Sequence, residues 1–208
     1  MIDPHRGQPV LRHGPAPSAA RLTMIMVHGR GASAEDMLGL AAELGIADVA
    51  VLAPQAAGRS WYPYSFLSPM PDNEPGLTSA LGVLARLVEL LAALQIPPER
   101  IALLGFSQGA CLSLEFAARH PQRYKAVVGL SGGLIGPPGT PRDYPGSFGD
   151  APVFLGCSDI DAHIPLARVK ESADVFRRMG AAVDERIYPR MGHTVNEDEI
   201  AAVQGLLA

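Results

Sequence analysis

Five residues, Gly105-Phe106-Ser107-Gln108-Gly109, constrain this chain more than any other stretch. Ahead of them runs Arg100-Ile101-Ala102-Leu103-Leu104, a short apolar segment that reads as a buried strand. Behind them, residues 110–120 are rich in helix formers and stop at Pro121. A Gly-x-Ser-x-Gly between a strand and a helix predicts a sharp turn that thrusts the serine hydroxyl out at the carboxyl edge of a sheet. Its flanking positions must be small for the chain to reverse so tightly. The N-terminus of the new helix also aims backbone N–H groups at any negative charge that develops there. Ser107 is therefore the candidate nucleophile.

Apolar runs alternate with helical periods along the rest of the chain. Strands are expected at 22–27, 49–52, 101–104, 126–130, 153–155 and 185–188, and helices at 34–44, 77–94, 108–119, 166–179 and 197–207. Such alternation predicts an α/β domain with a mostly parallel central sheet of six to seven strands and helices on both faces. Residues 1–20 form a flexible or edge-strand segment, with 8–12 as the edge-strand candidate, and 21–208 the domain proper. Ser33 and Asn196 are placed to cap helices that begin with acidic residues. Two stretches fall outside the framework: 56–76, with Trp61-Tyr62-Pro63-Tyr64-Ser65-Phe66, and the Pro- and Gly-rich 136–152. Both follow strands, which puts them at the carboxyl edge where open α/β sheets bind ligands. No insertion is long enough for a large lid domain.

A serine hydroxyl needs a base to take its proton, and the base needs an orienting partner. Hydrolases of this α/β type supply them in the chain order Ser, Asp or Glu, His. Here Gly156-Cys157-Ser158-Asp159-Ile160-Asp161 follows a strand, and Met191-Gly192-His193 follows the last one. His193 is the candidate base. His5 and His13 lie in a segment expected to fray, His120 stands beside a helix-stopping proline, and His163 reads as a solvent-facing loop residue. Asp161, further out on its loop, is favoured as the acid over Asp159, which could cap a turn with its own side chain.

Gly129-Leu130-Ser131-Gly132-Gly133 repeats the Gly-x-Ser-x-Gly pattern after another strand. Leu134-Ile135-Gly136-Pro137-Pro138 comes next and cannot form a helix, so Ser131 lacks the dipole and is expected only to border the pocket. Oxyanion donors are expected from the backbone N–H groups of Gln108 and of Arg30, within His28-Gly29-Arg30-Gly31. A phosphate loop is the rival reading of that glycine-rich segment, but no Gly-Lys-Ser/Thr is present. Trp61, Tyr64, Phe66 and Leu134 are the candidate substrate-binding residues.

These pieces together resemble the phospholipase/carboxylesterase branch of the α/β-hydrolases, which includes bacterial carboxylesterases and acyl-protein thioesterases. The resemblance implies a single-domain α/β-hydrolase with Ser107, Asp161 and His193 as triad and the Arg30 and Gln108 amides as oxyanion hole. Trp61-Tyr62-Pro63-Tyr64 looks like a small bacterial subset of that family. That favours simple carboxylic esters over acyl-protein substrates, and the open, shallow site expected without a lid favours short-chain or aryl esters over long lipids.

Composition narrows the partners. Seventeen basic and 21 acidic side chains give a net charge of −4, with no basic block, which argues against nucleic acid. The amino terminus lacks a signal-like apolar core, and the apolar 77–94 stretch carries Arg86 and Glu89, so no membrane span is expected. Cys111 and Cys157 read as buried thiols rather than a disulfide framework. The expectation is a cytoplasmic serine hydrolase acting on a small-molecule ester without metal or cofactor, and compatible with a homodimer.

Overall fold

The alternation of strands and helices resolves, in a computed structural model that describes residues 2–208, into one seven-stranded sheet. In chain order the elements are β1 (Val10–His13), β2 (Leu22–Val27), α1 (Ala34–Leu44), β3 (Val49–Pro54), α2 (Gly76–Ala93), β4 (Ile101–Phe106), α3 (Gln108–Arg119), β5 (Ala126–Leu130), β6 (Pro152–Ser158), α4 (Leu166–Arg178), β7 (Ala182–Tyr188) and α5 (Glu197–Leu207). The strands lie in the order β1-β3-β2-β4-β5-β6-β7, and only β1 runs antiparallel to its neighbour. Several strands reach further than their apolar runs: β4 continues through Gly105-Phe106, β6 through Cys157-Ser158, and β7 starts at Ala182. Polar or small residues ended each run in the sequence, whereas ladder hydrogen bonds carry the backbone onward.

The topology places a crevice. From β2 the chain winds outward to β3, then returns to β4 on the other side and winds away through β5, β6 and β7. The loops after β2 and β4 therefore diverge at a switch point, which is where such sheets bind ligands. In register, Val27 of β2 lies beside Gly105 of β4, and Gly105 beside Gly129 of β5.

Successive strand residues point to opposite faces. Ile25, Val27, Leu103, Val127 and Leu155 pack with α2, α3 and α4, while Met24, Met26, Leu104, Val128 and Phe154 pack with α1 and α5. A capping box starts α1, with Ser33 and Asp36 exchanging bonds, and Asn196 with Glu199 does the same for α5. Helix α2 has 18 residues of mean hydropathy 1.6, enough in length and composition to cross a bilayer. Here it lies on the sheet, burying Leu77, Ala80, Leu84, Leu87 and Leu91.

The amino-terminal segment is more ordered than its composition suggests. β1 pairs with β3 from Val10↔Pro54 to His13↔Val51, realising the edge strand. His5, expected to fray, is instead only 3% exposed. Its ring nitrogens engage the Trp61 carbonyl at 2.9 Å and the Ala57 N–H at 3.1 Å. The segment thus pins the loop that follows β3, a long-range contact with no local signature.

Candidate active site

Ser107 joins β4 to α3 with φ 55° and ψ −120°, a strained conformation for a residue with a Cβ. The glycines on either side are steric requirements. A Cβ at Gly105 would lie 2.2 Å from the Gly109 carbonyl oxygen, and one at Gly109 would lie 2.0 Å from the Val27 oxygen. Ser107 donates its N–H to the Leu130 carbonyl (2.9 Å) and its carbonyl accepts from the Cys111 N–H (3.0 Å), so both ends of the turn are fixed. Helix α3 behind it is buried from Gln108 to Ala118.

His193 and Asp161 converge on this turn from the carboxyl ends of later strands. The His193 ring reaches Ser107 Oγ through Nε2 at 2.8 Å and Asp161 Oδ2 through Nδ1 at 2.7 Å. The Asp161 side chain is fully buried. Burial alone would raise its pKa, but bonds from His193 and from the His163 and Ile164 N–H groups outweigh that and hold it below the usual carboxylate range. Asp161 is thus an anion fixed on three sides, with the Cys157 thiol a further 3.8 Å from Oδ2. Asp159 serves the same loop differently, its carboxylate accepting the Arg190 N–H at 2.7 Å. His163 is exposed, yet it stands edge-on to His193 with ring centroids 4.8 Å apart and borders the cleft.

The loop after β2 closes on the serine from the other side. A Cβ on Gly29 would approach Ser107 Cβ and the Phe106 oxygen at 3.3 Å, so glycine permits this contact. His28 is fully buried and its pKa is lowered, chiefly by that burial. Its partners fix the neutral tautomer: Nδ1–H donates to the Gly29 carbonyl at 2.7 Å, and Nε2 accepts from the Ala56 N–H at 3.1 Å. Gln108 opens α3, so its own N–H has no intrahelical acceptor. The Arg30 N–H donates to no backbone carbonyl among the described residues.

These parts border a cleft of about 540 Å³ that includes Ser107, His193, Arg30, Tyr62, Tyr64 and Phe66 in its walls. Its aromatic wall is held from several directions. The Gln108 side chain accepts from the Trp61 N–H and donates to the Tyr62 carbonyl, both at 2.9 Å. Buried Asn73 accepts from the Tyr64 N–H at 2.8 Å and donates to the Ser65 carbonyl at 2.9 Å. Sequence reasoning assigns Gln108 only its backbone N–H and passes over Asn73; an asparagine among loop prolines carries no distinguishing pattern of its own.

Comparison with known proteins bears on what such a cleft belongs to. The family model described as Phospholipase/Carboxylesterase matches residues 15–208. The chain belongs to the phospholipase/carboxylesterase family. Among solved structures, a phospholipase/carboxylesterase from Dyadobacter fermentans is 39% identical, superposes with a TM-score of 0.93 and is covered over 97% of both chains. NocK of Nocardia uniformis, which carries an esterase name, is 30% identical over 83% of this chain and 55% of its own length. Acyl-protein thioesterase 1 of Yarrowia lipolytica is 26% identical over 91% of this chain and 92% of its own. The match thus spans about half the length of NocK but nearly all of the Yarrowia protein. The α/β-hydrolase fold follows from these likenesses, and the esterase and thioesterase names are those of the relatives.

Three expectations for this chain need correction. Trp61 does not line the cleft: it is fully buried, its indole N–H donates to the His28 carbonyl at 2.8 Å, and its ring lies tilted 5.0 Å from His28. A large ring with a single donor finds its best place against a core carbonyl, and Tyr62 takes the wall position instead. Leu134 is also fully buried and absent from the cleft lining, with its N–H on Ser172 Oγ and its carbonyl accepting from Arg168. Ser131 is fully buried and stands apart from the cleft lining. Tyr64 and Phe66 stand in the wall.

Proposed function

We propose that this chain hydrolyses carboxylic esters through an acyl-enzyme on Ser107, with Asp161 and His193 completing a triad. The observation that carries the proposal is the unbroken chain from Ser107 Oγ through the His193 ring to the buried Asp161 carboxylate, at 2.8 and 2.7 Å. His193 takes the serine proton as Oγ attacks the ester carbonyl. The tetrahedral oxyanion receives the Gln108 and Arg30 N–H groups, donors typically worth about 2.7–4 kcal/mol each at the transition state. The C–O bond then breaks, His193 protonates the departing alcohol, and a water molecule repeats the sequence to release the acid. Asp161 fixes the imidazole tautomer and stabilises its cation. A cleft of about 540 Å³ walled by Tyr62, Tyr64 and Phe66 suits short-chain or aryl esters.

Thioester hydrolysis by the same residues is the second reading, and the likeness to acyl-protein thioesterase 1 over 91% of the chain favours keeping it. Rates on p-nitrophenyl acetate and butyrate, set beside rates on acyl thioesters of equal chain length, separate the two. Turnover of neither class would leave a small-molecule binder on a hydrolase fold. The acid assignment has its own check: Asp161→Asn should lower kcat by about 10⁴, whereas Asp159→Asn, which keeps an acceptor for the Arg190 N–H, should stay close to the unaltered protein. Equal losses would undo the distinction between the two aspartates.

A further inference from the structure

The cleft has one feature that ester hydrolysis does not require. Arg30 is the one arginine or lysine in its walls, and no aspartate or glutamate lines it among the described residues. The guanidinium is held rigidly but by neutral oxygens only. Nη1 donates to Ser60 Oγ at 3.0 Å and to the Pro63 carbonyl at 2.8 Å, and Nη2 to the Tyr64 carbonyl at 2.6 Å. A guanidinium has five N–H donors in one plane. Three are used here, which leaves the Nε–H and one Nη2–H without a partner among the described residues. Guanidinium N–H groups of this kind are the donors that recognise a carboxylate. The positive charge is therefore held in place on an exposed part of the cleft wall, and no acidic side chain pairs with it among the described residues.

Tyr62 lines the same cleft with its ring, while its hydroxyl is buried beside the Cys111 thiol. Holding Pro63 and Tyr64 in place accounts for three of the guanidinium donors. It does not account for the Nε–H, which has no partner among the described residues.

We propose that Arg30 binds a carboxylate carried by the substrate away from the reacting carbonyl, so that the preferred substrates are anionic esters such as half-esters of dicarboxylic acids. This rests on the ester-hydrolase reading and adds the substrate class. The Arg30 side chain would then set specificity while its backbone N–H serves the oxyanion.

The test uses matched pairs that differ only in charge. Monomethyl glutarate is compared with methyl 4-carbamoylbutanoate for an anion on the acyl side, and 4-acetoxybenzoate with 4-acetoxybenzamide for one on the alcohol side. In at least one pair the anion should have the higher kcat/KM by about tenfold, mainly through KM, and the preference should shrink at high ionic strength. Arg30→Gln should bring that ratio to about one, and Arg30→Lys should restore part of it. Wild-type ratios of one or less in both pairs overturn the proposal, whether or not the variants fold; so does a preference that survives Arg30→Gln. If none of the four esters is hydrolysed, it is the ester reading that fails. Calorimetric titration with glutarate then decides the anion site: saturable binding weakened about tenfold by Arg30→Gln sustains it, and no saturable binding ends it.

Discussion

Ser107 and Ser131 end adjacent strands, each inside a Gly-x-Ser-x-Gly, and each takes up positive φ, 55° and 52°. Their leading glycines, Gly105 and Gly129, are paired in register. Even their backbone anchoring matches, since Ser107 N–H bonds the Leu130 carbonyl and Ser131 N–H bonds the Gly156 carbonyl of the next strand. The two turns differ in the segment each one opens and in the groups that face it. Ser107 opens a 12-residue helix and meets His193, while Ser131 leads into Gly132-Gly133, packed against Ala110 and Arg168, and its hydroxyl is buried with no partner. The strained turn is thus a property of where these strands end. Reactivity requires the helix and the base as well.

The largest expected effect tests that division directly. Ser107→Ala should reduce kcat on an accepted ester by about 10⁶, in line with other triad serines. Ser131→Ala removes an unsatisfied hydroxyl and should leave kcat within about twofold, with stability equal or slightly raised. Steady-state rates and urea titrations of both variants decide the matter. A Ser131→Ala enzyme as inactive as Ser107→Ala would erase the contrast.

The paired glycines give the next contrast. A methyl group at position 105 would run into backbone, the Gly109 oxygen at 2.2 Å and the Ala110 nitrogen at 2.5 Å. At position 129 the first obstacle is Leu114 Cδ1 at 2.7 Å, the tip of a side chain that can rotate. Gly105→Ala should therefore yield little folded protein, while Gly129→Ala should fold with a loss of about 1–3 kcal/mol. Denaturant midpoints and soluble yields are the readouts. Similar penalties at the two sites would mean that the first turn is not tighter than the second.

Much of this contrast was legible in the sequence, because it depends on local chemistry. A proline-rich stretch after Ser131 cannot be a helix, and the alanine- and leucine-rich run after Ser107 can. The order Ser107, Asp161, His193 was equally readable, since each follows a strand whose apolar run is plain. Side-chain direction in loops was not. Trp61 and Tyr62 are neighbours in an aromatic stretch, yet the first turns its indole to the core carbonyl of His28 while the second lays its ring in the cleft wall. The burial of His5 is illegible for the same reason: the Trp61 carbonyl and the Ala57 N–H that hold it lie more than 50 residues away.

A further contrast concerns the ground beneath Ser131 rather than either serine. Gly156, whose carbonyl accepts the Ser131 N–H, leaves room for Glu199: a Cβ there would sit 2.2 Å from Glu199 Oε1. Glu199 is fully buried, with Oε2 on the Asn196 N–H and Oε1 unpartnered. Burial, aided by the Asp198 charge and opposed by the Asn196 bond, raises its pKa from 4.5 to about 7. A carboxyl whose folded pKa is raised contributes stability that is complete below the unfolded value and is lost as pH climbs through the folded one. Between about pH 4.5 and 7 the protein should therefore lose up to about 3 kcal/mol from this group alone. Glu199→Gln keeps the capping box, carries no titrating group, and should remove that slope while leaving kcat unchanged. Denaturation of both proteins at half-unit steps of pH gives the difference curve. A difference that stays constant across the window would mean that Glu199 is already ionised in the folded state at pH 5, with its second oxygen satisfied by solvent.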